Sequence, residues 1–142
     1  MTIKPELPAY IRTLVRGEHD EHDRIQAQLD AEGWDGFPRF LASLFFLAVD
    51  RRFGERASRA DVIKFVADLR ADLAHGGPEI RAEDAEVLIN ANIDPDIDYD
   101  IDPDMVGKIQ AATVYKVLTD EELSDADLDA FLAEAVQLAS RT

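Results

Sequence analysis

Ser58-Arg-Ala-Asp61-Val62-Ile-Lys-Phe65-Val66-Ala-Asp-Leu69-Arg-Ala-Asp-Leu73 decides the fold class. Ser58 with Asp61 three residues on is an N-cap pair, in which a side-chain oxygen satisfies an otherwise unpaired N–H of the first turn. Val62, Phe65, Val66, Leu69 and Leu73 then recur at intervals of three and four, the stripe of an amphipathic helix. Working outward, the same period continues in both directions. Upstream, Phe37 to Phe53 is apolar nearly all round through Phe40, Leu41, Leu44, Phe45, Leu47 and Val49, and predicts a central, buried helix closed by Gly54. Before it, Leu7, Ile11, Leu14, Val15, Ile25 and Leu29 share one face of a first helical segment, with Gly17 as a break or kink and Gly33-Trp34-Asp35-Gly36 as the following turn.

Downstream, His75-Gly76-Gly77-Pro78 is the strongest stop signal in the chain. A shorter helix over about Ala82 to Asn92 buries Ala85, Leu88 and Ile89. Asp102 as cap and Pro103 at the first helical position open the next, which carries Val106, Ile109, Val114, Val117 and Leu118. Thr119 with Glu122, and Ser124 with Asp127, are two successive capping candidates. The last helix, about Asp125 to Ser140, packs Leu128, Phe131, Leu132, Ala135 and Leu138. The spacing therefore predicts an all-α protein, a compact bundle of about six helices in a single domain over residues 1–142.

Ser58 to Asp68 aligns without gaps to Ser124 to Glu134, with five of eleven positions identical and three conservative. Any two capped amphipathic helices in an alanine-rich chain resemble each other in this way. An ancestral duplication would instead make pseudo-repeat halves of residues 1–75 and 79–142, three helices each.

The chain has 142 residues, no cysteine and a net charge of −15. Disulfides, thiol catalysis and zinc–thiolate sites are thereby excluded. The opening Met1-Thr2-Ile3-Lys4-Pro5-Glu6 lacks the layout of a signal peptide, and the longest apolar run is far too short to span a bilayer, so a cytoplasmic protein is expected. Up to His75 the net charge is −2; from Gly76 onward it is −13. The first part holds a basic cluster of Arg51, Arg52, Arg56, Arg59, Lys64 and Arg70. The sustained negative field of the second part repels nucleic-acid phosphate and anionic membrane and draws basic partners. Read blandly, it is a solubility surface. Read as an interface, it implies a basic protein partner, or self-association into a homodimer with the basic cluster of one copy against the acidic part of another.

The acidity peaks in Asp94-Pro-Asp96-Ile-Asp98-Tyr-Asp100-Ile-Asp102-Pro-Asp104, where six aspartates alternate with other residues. In extended backbone, alternate side chains point to opposite sides. The carboxylates would then line one edge while Ile97, Tyr99 and Ile101 cover the protein. Like charges this close repel, and a hard cation held by oxygen ligands would relieve them. An EF-hand is excluded: counted from Asp94, Tyr99 stands where glycine makes the turn, and Met105 where the bidentate glutamate belongs. A weaker calcium-type site on Asp96, Asp98 and Asp100 is the alternative function. The leading one is a partner-binding edge of Asp94, Asp96, Asp98, Tyr99, Asp100 and Asp102, with Tyr99 as aromatic anchor. In a third reading the segment is only a solvated, rigid connector.

His19 and His22, with Glu18 and Asp23, resemble a metal cluster but lack the His-Glu-x-x-His and Glu-x-x-His patterns. His22 falls on the stripe with Leu14, Val15, Ile25 and Leu29 and is expected to be a half-buried packing residue. No nucleophile elbow or phosphate-binding glycine loop occurs, and no enzyme activity is expected. Phe53-Gly-Glu-Arg-Ala-Ser58 could form the turn of a helix-turn-helix, but Asp61 and Asp68 on the second helix oppose DNA binding. Val49 to Ser58 and Val117 to Ser124 resemble the loops of acidic helical domains of the tellurite-resistance (TerB) type. That resemblance covers about a third of the chain and implies duplicated helix–acidic-loop–helix units. The Ala-Asp-Gly and spaced glutamate of those loops are absent from both stretches, and the chain is not assigned to that family.

Overall fold

The capped, periodic segments fold into seven helices in a computed structural model that describes residues 2–54 and 57–141. They are α1 (Glu6–Arg16), α2 (His19–Glu32), α3 (Phe37–Phe53), α4 (Arg59–Leu73), α5 (Ala82–Ile93), α6 (Pro103–Asp120) and α7 (Asp125–Ser140). No strand occurs among the described residues. The expected six become seven because the first helical segment breaks at Gly17, which takes the left-handed conformation at φ 69°. The Gly17 N–H donates to the Leu14 carbonyl (3.3 Å) and the Glu18 N–H to that of Thr13 (3.0 Å), the paired bonds that satisfy a helix's last carbonyls and stop it. Glu55 and Arg56 lie outside the described residues, and with them part of the basic cluster and of the turn before α4.

The chain divides into two compact units, Met1–Leu44 with Val117–Thr142, and Phe45–Lys116. The division passes through α3 and α6 and not at Gly76-Gly77-Pro78. In the first unit, Leu7 and Ile11 of α1, Ile25 and Leu29 of α2, Phe40 and Leu44 of α3, and Leu128, Phe131 and Leu132 of α7 are buried. Leu14, assigned to that apolar face, is instead 37% exposed. Arg12 Nε lies 2.8 Å from Asp129 Oδ1, and Arg16 Nε lies 3.0 Å from Asp125 Oδ1. The basic end of α1 thus meets the acidic start of α7, and the hydrogen bond and charge of Asp129 push the Arg12 pKa up. His22 is half-buried as expected. Its ring lies 4.4 Å from that of Tyr10, and its Nδ1 is 3.1 Å from Thr13 Oγ1.

Tyr10 also packs edge-on against Trp34 and Phe37, and burial, followed by the charge of Asp30, raises its pKa above 10.0. A phenol with a raised folded-state pKa contributes stability that is complete below its unfolded pKa and is lost as pH rises through the folded one. Stability is therefore expected to fall with pH in the alkaline range above 10.0, and Tyr10→Phe should flatten that fall in urea melts taken across it.

In the second unit, Phe45, Ala48 and Val49 of α3 are buried with Val62, Phe65, Val66 and Leu69 of α4, Leu88 and Ile89 of α5, and Ile109 and Val114 of α6. Phe65 meets Phe53 edge to face at 5.2 Å between centroids. Lys116, whose side chain is largely covered, pairs with Asp72 at 2.9 Å and lies 5.8 Å from the Phe65 ring. α3 is less enclosed than its composition suggests, since Ala42 and Phe46 are exposed. In the turn after α4 Gly77 lies close to Leu73: a Cβ there would sit 2.6 Å from Leu73 Cδ2 and 3.2 Å from Leu73 Cα, so the Leu73 side chain would have to shift.

Both caps that bound the aligned stretches are formed. Ser58 Oγ accepts from the Asp61 N–H (3.2 Å) while Asp61 Oδ2 accepts from the Ser58 N–H (3.1 Å); Ser124 Oγ accepts from the Asp127 N–H (3.1 Å). Val62, Phe65, Val66 and Leu69 of α4 and their counterparts Leu128, Phe131, Leu132 and Ala135 of α7 are all buried, so the two helices share register as well as sequence. The cap proposed at Thr119 with Glu122 does not form. α6 continues through Asp120, and Glu122 takes φ 48° in the turn that follows. Ser58→Ala and Ser124→Ala are each expected to cost about 1 kcal/mol in chemical denaturation, whereas Thr119→Ala should not lose a cap.

Thr113, wholly buried on α6, has a hydroxyl with no hydrogen-bond partner among the described residues. Replacing a buried, unpartnered polar group with an apolar one of the same shape removes a desolvation penalty. Thr113→Val is therefore expected to stabilise the protein by about 1 kcal/mol, read as a higher urea midpoint at unchanged slope.

Candidate functional site

The segment between α5 and α6 is tied at both ends by its own aspartates. Asp94 ends α5 with its N–H on the Asn90 carbonyl (2.8 Å). Its carbonyl accepts from the Ile97 N–H (3.1 Å) and its Oδ1 from the Asp96 N–H (3.1 Å), closing a tight turn with Pro95 at the corner. At the other end Asp102 Oδ1 accepts from the Asp104 N–H (2.9 Å), and its carbonyl accepts from the Val106 N–H (3.0 Å). Asp102 is thus the cap of α6 with Pro103 at the first helical position, as its sequence predicts.

Asp94, Asp96, Asp98, Asp100, Asp102 and Asp104 are all exposed, and Ile97 and Ile101 are half-buried. Tyr99, expected to cover the protein with the two isoleucines, does so only in part: it is 51% exposed. The turn at Asp94–Ile97 interrupts the alternation expected of an extended edge, and Asp98, Tyr99 and Asp100 are all exposed. Asp94 and Asp102 each commit a carboxylate oxygen to the backbone. No side-chain hydrogen bond or ion pair holds Asp96, Asp98 or Asp100 among the described residues. The six residues proposed for partner binding therefore divide into two that build the loop and four, Tyr99 among them, that the loop presents.

Among the described residues, no three His, Asp or Glu side chains come together as a group that could hold a metal ion. That holds for the aspartate segment and for His19, His22 and Asp23, where His19 and Asp23 are exposed and His22 is turned onto Tyr10. No helix is long and apolar enough to cross a membrane, among the described residues.

Sequence reasoning missed a neighbour of the segment. A cavity of about 460 Å³ is lined by Phe46, Val49, Asp50 and Gly54 at the end of α3, and by Asn92, Ile93 and Pro95 where α5 runs into the loop. Phe46 is an exposed apolar residue of α3, at 46%. The basic cluster lies in the same compact unit, with Arg51, Arg52, Arg59, Lys64 and Arg70 all exposed. Arg52 is drawn over the rings of Phe53 and Phe65, at 5.2 and 5.6 Å, and Arg70 Nε donates to the Ile80 carbonyl (2.9 Å). Counted by compact unit, the charge is −9 in the first and −6 in the second, so the steep asymmetry along the chain is not one between the folded units. Comparison with protein-family models, with curated proteins and with solved structures returned no match.

Proposed function

We propose that the chain is a non-enzymatic interaction or regulatory module that presents Asp96, Asp98, Tyr99 and Asp100 to a basic protein partner. What supports this reading is the set of three exposed carboxylates that no side chain among the described residues pairs with, on a loop whose ends are pinned by Asp94 and Asp102. A loop held in this way costs little ordering entropy on binding. Tyr99 supplies the amphipathic ring that interfaces favour. The partner is a lysine- or arginine-rich segment of another protein, or the arginine-bearing surface of a second copy.

Binding driven by exposed charge weakens steeply with ionic strength, because the screening length shrinks from about 30 Å at 0.01 M salt to about 8 Å at 0.15 M. Titration of a labelled lysine-rich peptide is expected to lose most of its affinity across that interval. Sedimentation of the protein alone over the same interval separates self-association from binding in trans. Salt-insensitive association, or none at low salt in either experiment, would discard the proposal.

A further inference from the structure

We infer that the cavity between the ends of α3 and α5 receives an apolar side chain carried by the basic segment that binds the acidic loop. The inference rests on the proposed function and names the partner more closely: a lysine- or arginine-rich peptide with one large apolar anchor. At about 460 Å³ the cavity lies within the range of small-ligand pockets, roughly 300–1,000 Å³. Of its apolar lining residues, Val49 is wholly buried and Ile93 half-buried, whereas Phe46 and Pro95 stand exposed at its edge.

Its surroundings choose the sign of the occupant. Asp50 lines the cavity and is exposed, and Pro95 is flanked by the exposed Asp94 and Asp96. Both contributing helices end here, α3 at Phe53 and α5 at Ile93, and helix C-termini carry partial negative charge. Neither Arg51 nor Arg52 is among the lining residues, and Arg52 is engaged over two rings. Among the described residues the recess has an acidic border, which matches a cationic peptide whose anchor fills the recess while its charges meet the loop. In such interfaces the buried anchor supplies most of the affinity, and the charges steer and orient.

The test uses the full chain and two short lysine-rich peptides that differ only in a central Trp or Ser, followed by fluorescence anisotropy and by methyl NMR at Val49 and Ile93. The Trp peptide is expected to bind roughly tenfold tighter or better, and to shift both methyl resonances. Phe46→Ser, at an exposed position, should erase that preference while leaving both peptides salt-sensitive. Asp50→Lys, also exposed, should weaken the Trp peptide more than the Ser peptide. Equal affinity of the two peptides, or unmoved Val49 and Ile93 methyls, overturns the inference; if Asp96, Asp98 and Asp100 are still needed, the acidic-loop reading stands without it. Failure of both peptides at low salt removes both readings. A Trp preference indifferent to Asp96→Asn, Asp98→Asn and Asp100→Asn also overturns it, because the occupant is then not chosen by charge.

Discussion

Phe65→Ala is expected to remove about 3–5 kcal/mol of stability, the range for emptying a buried aromatic site. The side chain is 2% exposed, so nearly all of its transfer free energy is lost. Its position makes the remaining void hard to close. The Phe53 ring loses its edge-to-face partner at 5.2 Å, and the Arg52 guanidinium and Lys116 ammonium lose the ring they lie over. Lys116 is the sensitive member, because its side chain is largely covered and it keeps Asp72 at 2.9 Å but loses the ring. A domain of this kind has about 5–15 kcal/mol in total, so the variant sits close to unfolding. Urea denaturation reads the loss, with Ile63→Ala as control on the same helix: Ile63 is 52% exposed and should cost little. A Phe65→Ala penalty no larger than the control's would mean that the second unit is not packed around this ring.

Joint replacement of Asp96, Asp98 and Asp100 by asparagine is expected to weaken binding of a basic peptide roughly 10- to 100-fold at low salt, taking up to about 1 kcal/mol for each exposed pair. The same variant should be no less stable than the parent. The three carboxylates make no contact that the fold needs, whereas Asp94 and Asp102, which cap the neighbouring helices, are left in place. Removal of three like charges from one loop also relieves repulsion that salt otherwise screens. A paired measurement of affinity and thermal midpoint tests both halves. Unchanged affinity contradicts the interaction reading, and a large fall in midpoint contradicts the claim that these side chains are spare. The complementary variant, Asp102→Ala, should reverse the pattern: it loses the cap of α6, at a cost of about 1 kcal/mol, with all three presented carboxylates intact.

Helix positions were legible because each is set by local chemistry. Phe37–Phe53 and Asp125–Ser140 have the bounds that their apolar period and caps imply, and α4 starts one residue after the Ser58 cap. Thr119 with Glu122 misled because Thr119 is still helical: α6 runs on through Asp120, and Glu122 falls in the turn after it, so the pair straddles a helix end and caps no helix start. Leu14 and Tyr99 misled for another reason. Apolar period identifies the face of an element, but not whether anything lies over that face. The cavity beside Phe46 was invisible for the same cause, since Val49 and Ile93 stand 44 positions apart in the chain.

By itself, the sequence determined that this is an all-helical, acidic protein, where most of its helices start, and that Asp102 and Pro103 begin one of them. Capping, period and the left-handed preference of glycine act within a few residues and need no partner. The tertiary structure decided which aspartates are tied to the backbone and which are not, that Tyr99 is half exposed, and that a recess opens next to the loop. It also decided how the charge is distributed: packing places residues 117–142 in the same unit as residues 1–44, so the gradient along the chain is divided anew. Burial and charge environment are properties of what surrounds a residue in space, and neighbours in space are not written in the order of the chain.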